Sequence, residues 1–249
     1  MKFDIPKIHF SIDDVFNALI DRDQNTSDFW TFLDKLHEKL NIDVSLYLFL
    51  ENDLGQRLSS HEIDRFIQHF SQRPWIKLGP HSRSPSLPFH SQILSDAKKS
   101  LTELYSVIAR LVSEQQVAKY LRLHYFSELF EFEKLFNHNG ARGLFTTDKP
   151  IVAYRIPQEY KTELIANGFT TYQNMTFFRS MLRIETLKSL STMEIQSTLD
   201  RLLDDFRIYG YVSIFTHEIH LLSPEYRELT NYVLTYLAGH IKFNEPISN

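Results

Sequence analysis

The chain of 249 residues contains no cysteine, which excludes a disulfide framework, a thiolate metal site and a cysteine nucleophile. It has only 7 glycines, so we do not expect a glycine-rich loop that cradles a phosphate group. No segment approaches the roughly 20 apolar residues that a membrane-spanning helix needs, and the first residues lack the apolar stretch of a secretory signal. We therefore expect a cytoplasmic protein without a membrane span, in which any metal is bound by histidine and carboxylate ligands.

A positive net charge is also missing, because 27 Lys and Arg stand against 31 Asp and Glu, giving a formal net charge of -4. A weak negative field does not attract a polyphosphate backbone, so nucleic acid is not an expected partner. Aromatic residues are abundant, with 20 Phe and 12 Tyr, which indicates an aromatic-rich core. Since no repeat or linker-like segment is present, we predict one domain over residues 1–249.

Short apolar segments of strand character alternate with longer segments of helical periodicity. The predicted strands cover residues 8–12, 44–50, 75–79, 120–126, 142–146, 175–184 and 211–216. The predicted helices cover residues 27–40, 60–70, 93–117, 127–139, 157–167, 192–209 and 224–240, with Ser27 as the N-cap of the first. Strict alternation indicates parallel strands joined by helical crossovers.

Seven such units favour an α/β fold, specifically a deformed (β/α)7 barrel of the TIM-like kind. An open doubly wound sheet is the alternative. The first strand ends in Ser11-Ile12-Asp13-Asp14, which lacks the glycine that a dinucleotide-binding fold places in its phosphate loop. The barrel is therefore the preferred prediction.

Histidine and aspartate residues lie at or near the ends of several predicted strands. They are Asp13, Asp14, His81, His124 and His217. Each has an ordinary explanation taken alone: the aspartates as turn formers or helix caps, His81 as a loop residue, His217 as a hydrogen-bonded core residue. However, the loops after parallel strands meet at one face of a barrel, and two adjacent carboxylates repel unless a cation or proton separates them. Together these residues predict a metal or acid/base site.

Several short motifs resemble those of the polysaccharide deacetylases of the NodB-homology type, which are metal-dependent enzymes on a deformed (β/α)7 barrel. Ser11-Ile12-Asp13-Asp14 resembles their TFDD element. The segment Leu121-Arg122-Leu123-His124-Tyr125-Phe126 is similar to their Arg-Pro-Pro-Tyr-Gly strand, and Ile214-Phe215-Thr216-His217 is similar to their final Leu-x-His element. The fourth element, which contains an aspartate and a tryptophan in the family, is not recognisable in residues 179–185.

The chain departs from the family at the second element, where the family reads HSxxHP. Here the segment is His81-Ser82-Arg83-Ser84-Pro85, so a proline stands at the second histidine ligand. We infer that His124, which stands where the family has a proline, supplies the missing ligand. His90, in the loop after the third predicted strand, is the alternative.

The resemblance implies a divalent metal ion, with Zn²⁺ as the default, held by Asp14, His81 and His124. It also implies that Asp13 is the general base and His217 the general acid. The spacing of Arg83 from His81 and of Arg122 from His124 suggests that both arginines face the substrate. Arg122 has an alternative role, which is to neutralise or orient Asp13.

On this resemblance the protein is a hydrolase that removes an N-acyl group, acetyl or formyl, from a sugar or sugar precursor. It is similar to a divergent branch encoded with bacterial surface-polysaccharide genes. Two alternatives remain: a catalytically silent barrel that binds a ligand, and a metal hydrolase that acts on another amide or an ester. Trp30 and Trp75 are candidates for stacking on a pyranose ring, although most aromatic residues belong to the core. The oligomeric state is not predicted.

Overall fold

The computed structural model describes residues 5–21 and 23–243, and this part of the chain contains nine strands and nine α-helices. The strands are β1 (Ile8–Val15), β2 (Val44–Phe49), β3 (Ile76–Ser82), β4 (Tyr120–Leu121), β5 (Gly143–Phe145), β6 (Phe169–Tyr172), β7 (Met175–Phe178), β8 (Leu182–Arg183) and β9 (Val212–His217). The helices are α1 (Asn17–Ile20), α2 (Gln24–Leu40), α3 (Ser60–Ser71), α4 (Leu94–Leu111), α5 (Glu133–His138), α6 (Gln158–Asn167), α7 (Thr192–Tyr209), α8 (Glu218–Leu221) and α9 (Pro224–Ala238). Within these ranges no helix is both long and apolar enough to cross a membrane.

The strands form two sheets. A five-stranded sheet has the order β3-β2-β1-β9-β8 and is parallel throughout. A four-stranded sheet has the order β4-β5-β7-β6, in which β6 and β7 pair antiparallel. Between β3 and the segment before β4 the Ala118 amide donates to the Leu78 carbonyl, at 2.8 Å. The predicted α/β class is confirmed, whereas the described residues form these two sheets rather than the predicted single closed barrel of seven strands.

Helix α2 shows how local sequence sets an element and its ends. Asp23 caps the helix, because its carboxylate accepts the Thr26 amide at 2.8 Å. Phe29, Leu33 and Leu36 form its buried stripe. The helix therefore begins before the predicted Ser27 cap. It ends at residue 40, where the following residue adopts a left-handed conformation.

Two predicted strands are much longer than the strands that form there. The strand predicted over 120–126 stops at Leu121, and the chain then turns with positive φ at Tyr125 and Phe126. The strand predicted over 175–184 is divided into β7 and β8, which belong to different sheets. Two predicted helices are also longer than those observed. The prediction over 127–139 corresponds to the shorter α5, and the prediction over 93–117 corresponds to the shorter α4. An apolar segment alone does not show where the backbone turns.

The hairpin of β6 and β7 was not predicted. Its strands are joined by Gln173 and Asn174, and both residues have positive φ. Positive φ at both positions of a two-residue loop is typical of a type I′ turn, in which asparagine is favoured. The sequence feature that indicates this hairpin is Asn174, which stands between two segments rich in threonine and aromatic residues.

Both tryptophans are core residues, each only 8 % exposed. The Trp30 indole donates to the Ala18 carbonyl at 3.2 Å, and Trp75 stacks on His37 with ring centroids 4.5 Å apart. The suggestion that these two rings stack on a sugar is therefore wrong, since their faces are covered by protein.

Candidate metal centre and acid/base site

Three predicted metal ligands meet at the carboxyl ends of the strands. Asp14 lies near the end of β1, His81 near the end of β3, and His124 in the turn after β4. Asp14 Oδ1 is 3.0 Å from His81 Nε2 and 3.2 Å from His124 Nδ1. These two imidazole nitrogens are 3.2 Å from each other. The three atoms form a nearly equilateral triangle, which we call the ligand triangle.

Backbone carbonyl groups fix the protonation of the two imidazoles. His81 Nδ1 is 2.7 Å from the Arg122 carbonyl oxygen, and His124 Nε2 is 3.2 Å from the Pro85 carbonyl oxygen. A carbonyl oxygen only accepts hydrogen bonds, so each of these nitrogens carries the proton of the neutral ring. The nitrogens that face Asp14 then present lone pairs. A carbonyl behind each imidazole is the usual arrangement around a metal-ligating histidine.

The residues present fit a divalent ion. Asp14 Oδ1 is buried and has no hydrogen-bond donor when both imidazole protons point to the carbonyls. A tetrahedral zinc site with ligand distances of about 2.0–2.1 Å separates neighbouring ligand atoms by roughly 3.3 Å, close to the sides of the ligand triangle. With protonated imidazoles the same contacts lower the pKa of Asp14 well below its usual range, although burial opposes this. With neutral imidazoles, a metal ion would supply the positive charge beside Asp14. With protonated imidazoles, the two rings supply it.

An irregularity in β1 allows two consecutive aspartates to serve one site. Adjacent residues of a regular strand point to opposite faces of a sheet. Here the pairing with β2 shifts between Ile12 and Val15, and Asp14 has a φ of 62°. A left-handed conformation of a residue other than glycine costs about 1–3 kcal/mol and is enriched at functional sites. The bulge gives Asp14 its place in the ligand triangle while Asp13 stays buried beside Arg122.

Asp13 is paired with a buried arginine. The Arg122 side chain is 1 % exposed and donates through Nη1 to Asp13 Oδ1 at 3.3 Å. Its other donors reach serine hydroxyls, those of Ser11, Ser180 and Ser213. The guanidinium also lies over the Phe215 ring, 4.0 Å from its centroid. The geometry favours the alternative in which Arg122 neutralises and orients Asp13, and its substrate contact stays a prediction.

The contacts of the Arg83 side chain are with residues outside the ligand triangle. Its Nε donates to Glu51 at 2.7 Å, and its Nη1 is 3.4 Å from Ser100 in α4. Glu51 also accepts from Arg57, at 2.8 Å. Arg83 thus joins an ion-pair network between loops and α4, and its predicted role in substrate binding stays a prediction.

His217 lies beside Asp13, because the two residues are register partners on β9 and β1. Its Nδ1 contacts Oε1 of Glu185, a residue in the turn after β8. Burial lowers the pKa of His217, but Glu185, Asp13 and Asp14 outweigh it and raise the pKa above the usual value. Glu185 was not predicted from the sequence. Its position immediately after the strand predicted over 175–184 was the signal, since the other site residues also follow strands.

A buried carboxylate fixes the loop that follows the two aspartates. Glu218 accepts the backbone amides of Phe16, Asn17 and Ala18 at 3.2, 3.0 and 2.7 Å. Burial raises the pKa of Glu218 to about 7, although these amides oppose the shift. The end of β1 is thereby tied to the end of β9.

His90, the alternative third ligand, lies outside the ligand triangle. Its Nδ1 is 2.7 Å from the Ser127 hydroxyl. Its ring faces Tyr125, which is 62 % exposed and whose ring centroid is 4.2 Å from that of His124. The structure therefore brings His124 rather than His90 to Asp14 and His81, and leaves the largely exposed Tyr125 beside it.

No known family model matches this sequence, and no curated protein matches it. Among solved structures, the chain is similar to the 4-alpha-glucanotransferase from Thermococcus litoralis, with a TM-score of 0.57, 15 % identity, and 95 % of this chain covered. It spans only 38 % of that enzyme. It is also similar to a probable polysaccharide deacetylase from Pseudomonas aeruginosa PAO1, with a TM-score of 0.51, 8 % identity, and 94 % and 85 % of the two chains covered. At such identities the likeness concerns the fold alone, and the chain thus has an α/β fold similar to that of a probable polysaccharide deacetylase.

Proposed function

We propose that this protein is a metal-dependent hydrolase that removes an N-acyl group, acetyl or formyl, from a sugar in bacterial surface-polysaccharide biosynthesis in the cytoplasm. The observation that carries the proposal is the ligand triangle, whose imidazole protons are directed to backbone carbonyls. The likeness in fold to a probable polysaccharide deacetylase supports it. Zn²⁺ is the proposed ion, because two nitrogens and one carboxylate oxygen suit it, although Fe²⁺, Co²⁺, Ni²⁺ and Mn²⁺ accept the same ligands.

A divalent ion held by Asp14, His81 and His124 would supply a Lewis acid that polarises an acyl carbonyl and acidifies water. Asp13 is the proposed general base, which accepts the proton of the attacking water. Its carboxylate is held by Arg122 at 3.3 Å, so its orientation is fixed before the substrate binds.

His217 is the proposed general acid. An amide can be cleaved only if the departing nitrogen receives a proton, because an amide anion is too basic to leave. Contact with Glu185 keeps the imidazolium form of His217 present at higher pH than usual. The proposed base and acid are register partners on adjacent parallel strands, so both groups lie at the same end of the sheet.

The reaction is tested by incubating the Zn²⁺-loaded protein with N-acetyl and N-formyl amino sugars and measuring released acetate or formate. O-acetyl sugars and amides without a sugar serve as comparison substrates. Release from the amino sugars, greater than from the comparison substrates, is the expected result. If a protein that binds the ion releases no acyl group from any of them, the proposed function is wrong and the catalytically silent alternative is preferred.

Replacing Glu185 by glutamine should shift the alkaline limb of the kcat/KM profile to lower pH. Loss of the carboxylate lowers the pKa of His217, so the protonated acid disappears at lower pH than in the wild type. We expect kcat/KM to fall about tenfold near pH 8 and to change little near pH 6. Glu225→Gln, which removes an exposed partner of Lys188, is the control. An unshifted limb in the Glu185 variant would contradict the assigned role of His217.

Tyr125 is the exposed aromatic residue beside His124 on which we propose that a pyranose ring stacks. Replacing Tyr125 by alanine should raise KM for an amino sugar by roughly fivefold, since aromatic stacking contributes about 1 kcal/mol. The value of kcat should change less, and Tyr125→Phe should retain the wild-type KM. Tyr232→Ala, which removes an exposed tyrosine from α9, is the control. Equal KM values in the Tyr125 and Tyr232 alanine variants would remove Tyr125 from the substrate site.

A further inference from the structure

A second group of potential metal ligands lies at the end of β9. His217 is the last residue of this strand, His220 lies three residues later in α8, and Glu185 reaches the group from the turn after β8. The three residues offer one ligand atom each, and these atoms all lie within 4.8 Å of one another. All three side chains are partly buried, so an ion can reach them from solvent. We call Glu185, His217 and His220 the β9 cluster.

The carboxylate of Glu185 has an unused oxygen inside the protein. Its side chain is only 10 % exposed, Oε1 contacts His217, and Oε2 is buried without a hydrogen-bond partner. A buried carboxylate oxygen without a partner is costly, and a cation would remove this cost.

His220 has a free nitrogen to contribute. Its ring contacts are with His217 and Tyr226, at centroid distances of 6.2 and 4.6 Å. Within residues 5–21 and 23–243 its ring nitrogens make no hydrogen bond, so no protein donor or acceptor competes with an ion for them. Two imidazoles and a carboxylate again form a donor set that suits zinc.

We infer that the β9 cluster binds a second divalent ion of the zinc type and that this ion inhibits the enzyme. The second ion binds more weakly than the first, because the imidazole rings of His217 and His220 lie farther apart, with centroids separated by 6.2 Å, than those of His81 and His124, whose centroids are 5.0 Å apart. The β9 cluster therefore binds its ion only when the metal is present in excess over the first site.

Inhibition follows from the chemistry of His217 and rests on the proposed function. An ion between Glu185 and Nδ1 of His217 displaces the proton from that nitrogen into solvent. The imidazole is then held in its neutral form and no longer acts as the general acid. Excess zinc would thus stop the step that protonates the leaving amine.

Metal stoichiometry tests the site without reference to activity. Zn²⁺ is titrated calorimetrically into the chelator-treated full chain and into its Asp14→Ala and His220→Ala variants. The wild type should bind two ions of unequal affinity. His220→Ala should weaken the second ion at least tenfold and keep the first, while Asp14→Ala should lose the first and keep the second. His138→Ala, which removes an exposed histidine from α5, should match the wild type.

A single ion in the wild type, or a weaker ion that persists unchanged in His220→Ala, would overturn the second site while leaving the proposed function intact. For inhibition, excess Zn²⁺ should lower the turnover of the wild type and of His138→Ala, and His220→Ala should resist it. Equal inhibition of all three proteins would show that the ion acts elsewhere. If no variant turns over any substrate, the proposed function fails, and the stoichiometry still decides whether the site exists.

Discussion

Replacing Asp13 by asparagine is expected to lower kcat by about 10²–10⁴-fold, the range for loss of a general base, without loss of the metal. Asparagine keeps the size of the side chain but accepts a proton far less readily than a carboxylate. The ligand triangle does not include Asp13, so calorimetry should show Zn²⁺ binding as in the wild type.

Asp148→Asn is the matched control for this variant. Asp148 is a partly buried carboxylate that follows a strand, and it pairs with Arg183 at 2.8 Å, as Asp13 pairs with Arg122. We expect this control to retain turnover. Normal turnover in Asp13→Asn would end the proposed role of Asp13, and loss of the ion in that variant would show that Asp13 is a ligand instead.

Replacing Arg122 by methionine should lower the free energy of unfolding by about 3–5 kcal/mol, as expected when one partner of a buried ion pair is removed. Both side chains are almost fully buried, so the Asp13 carboxylate would lose the guanidinium that is paired with it. The serine hydroxyls that Arg122 contacts would also lose their donor. Urea unfolding followed by circular dichroism measures the change.

The Asp13→Asn/Arg122→Met double variant should be more stable than the sum of the two single changes predicts, because it removes both charges of the pair. Arg207→Met is the surface control. Arg207 pairs with Asp204 where both side chains are mostly exposed, so its loss should change stability by about 0.5 kcal/mol or less. An Arg122 variant no less stable than this control would contradict the pairing.

The fold was predictable where strands are long and apolar. β2 and β9 coincide closely with predicted segments, whereas β1 and β3 each end three residues later than predicted. An apolar segment between helices is typical of a strand buried on both faces. The segment after Leu121 was predicted wrongly, since it is equally apolar but turns at residues with positive φ. β6 and its antiparallel pairing with β7 were missed because parallel pairing was assumed throughout.

The sequence predicted which residue types form the candidate site and at which edge of the sheet the site lies. Asp14, His81 and His124 were chosen because they lie at or near strand ends, and the structure brings them together. Side-chain direction was not predictable, because it depends on the register shift in β1 and on the turn after β4. The direction of the Arg83 side chain, which contacts Glu51, was not predictable either. The spacing of a loop residue from His81 does not determine where its side chain points.

The substitution of a missing histidine by His124 is the central claim, and a calorimetric titration of Zn²⁺ into chelator-treated protein tests it most directly. The wild type is compared with Asp14→Ala, His124→Ala and His90→Ala. We expect one tightly bound ion in the wild type and in His90→Ala, and its loss in the other two variants. Retention of this ion in His124→Ala with its loss in His90→Ala, or no tight ion in the wild type, would contradict the ligand triangle as the metal centre.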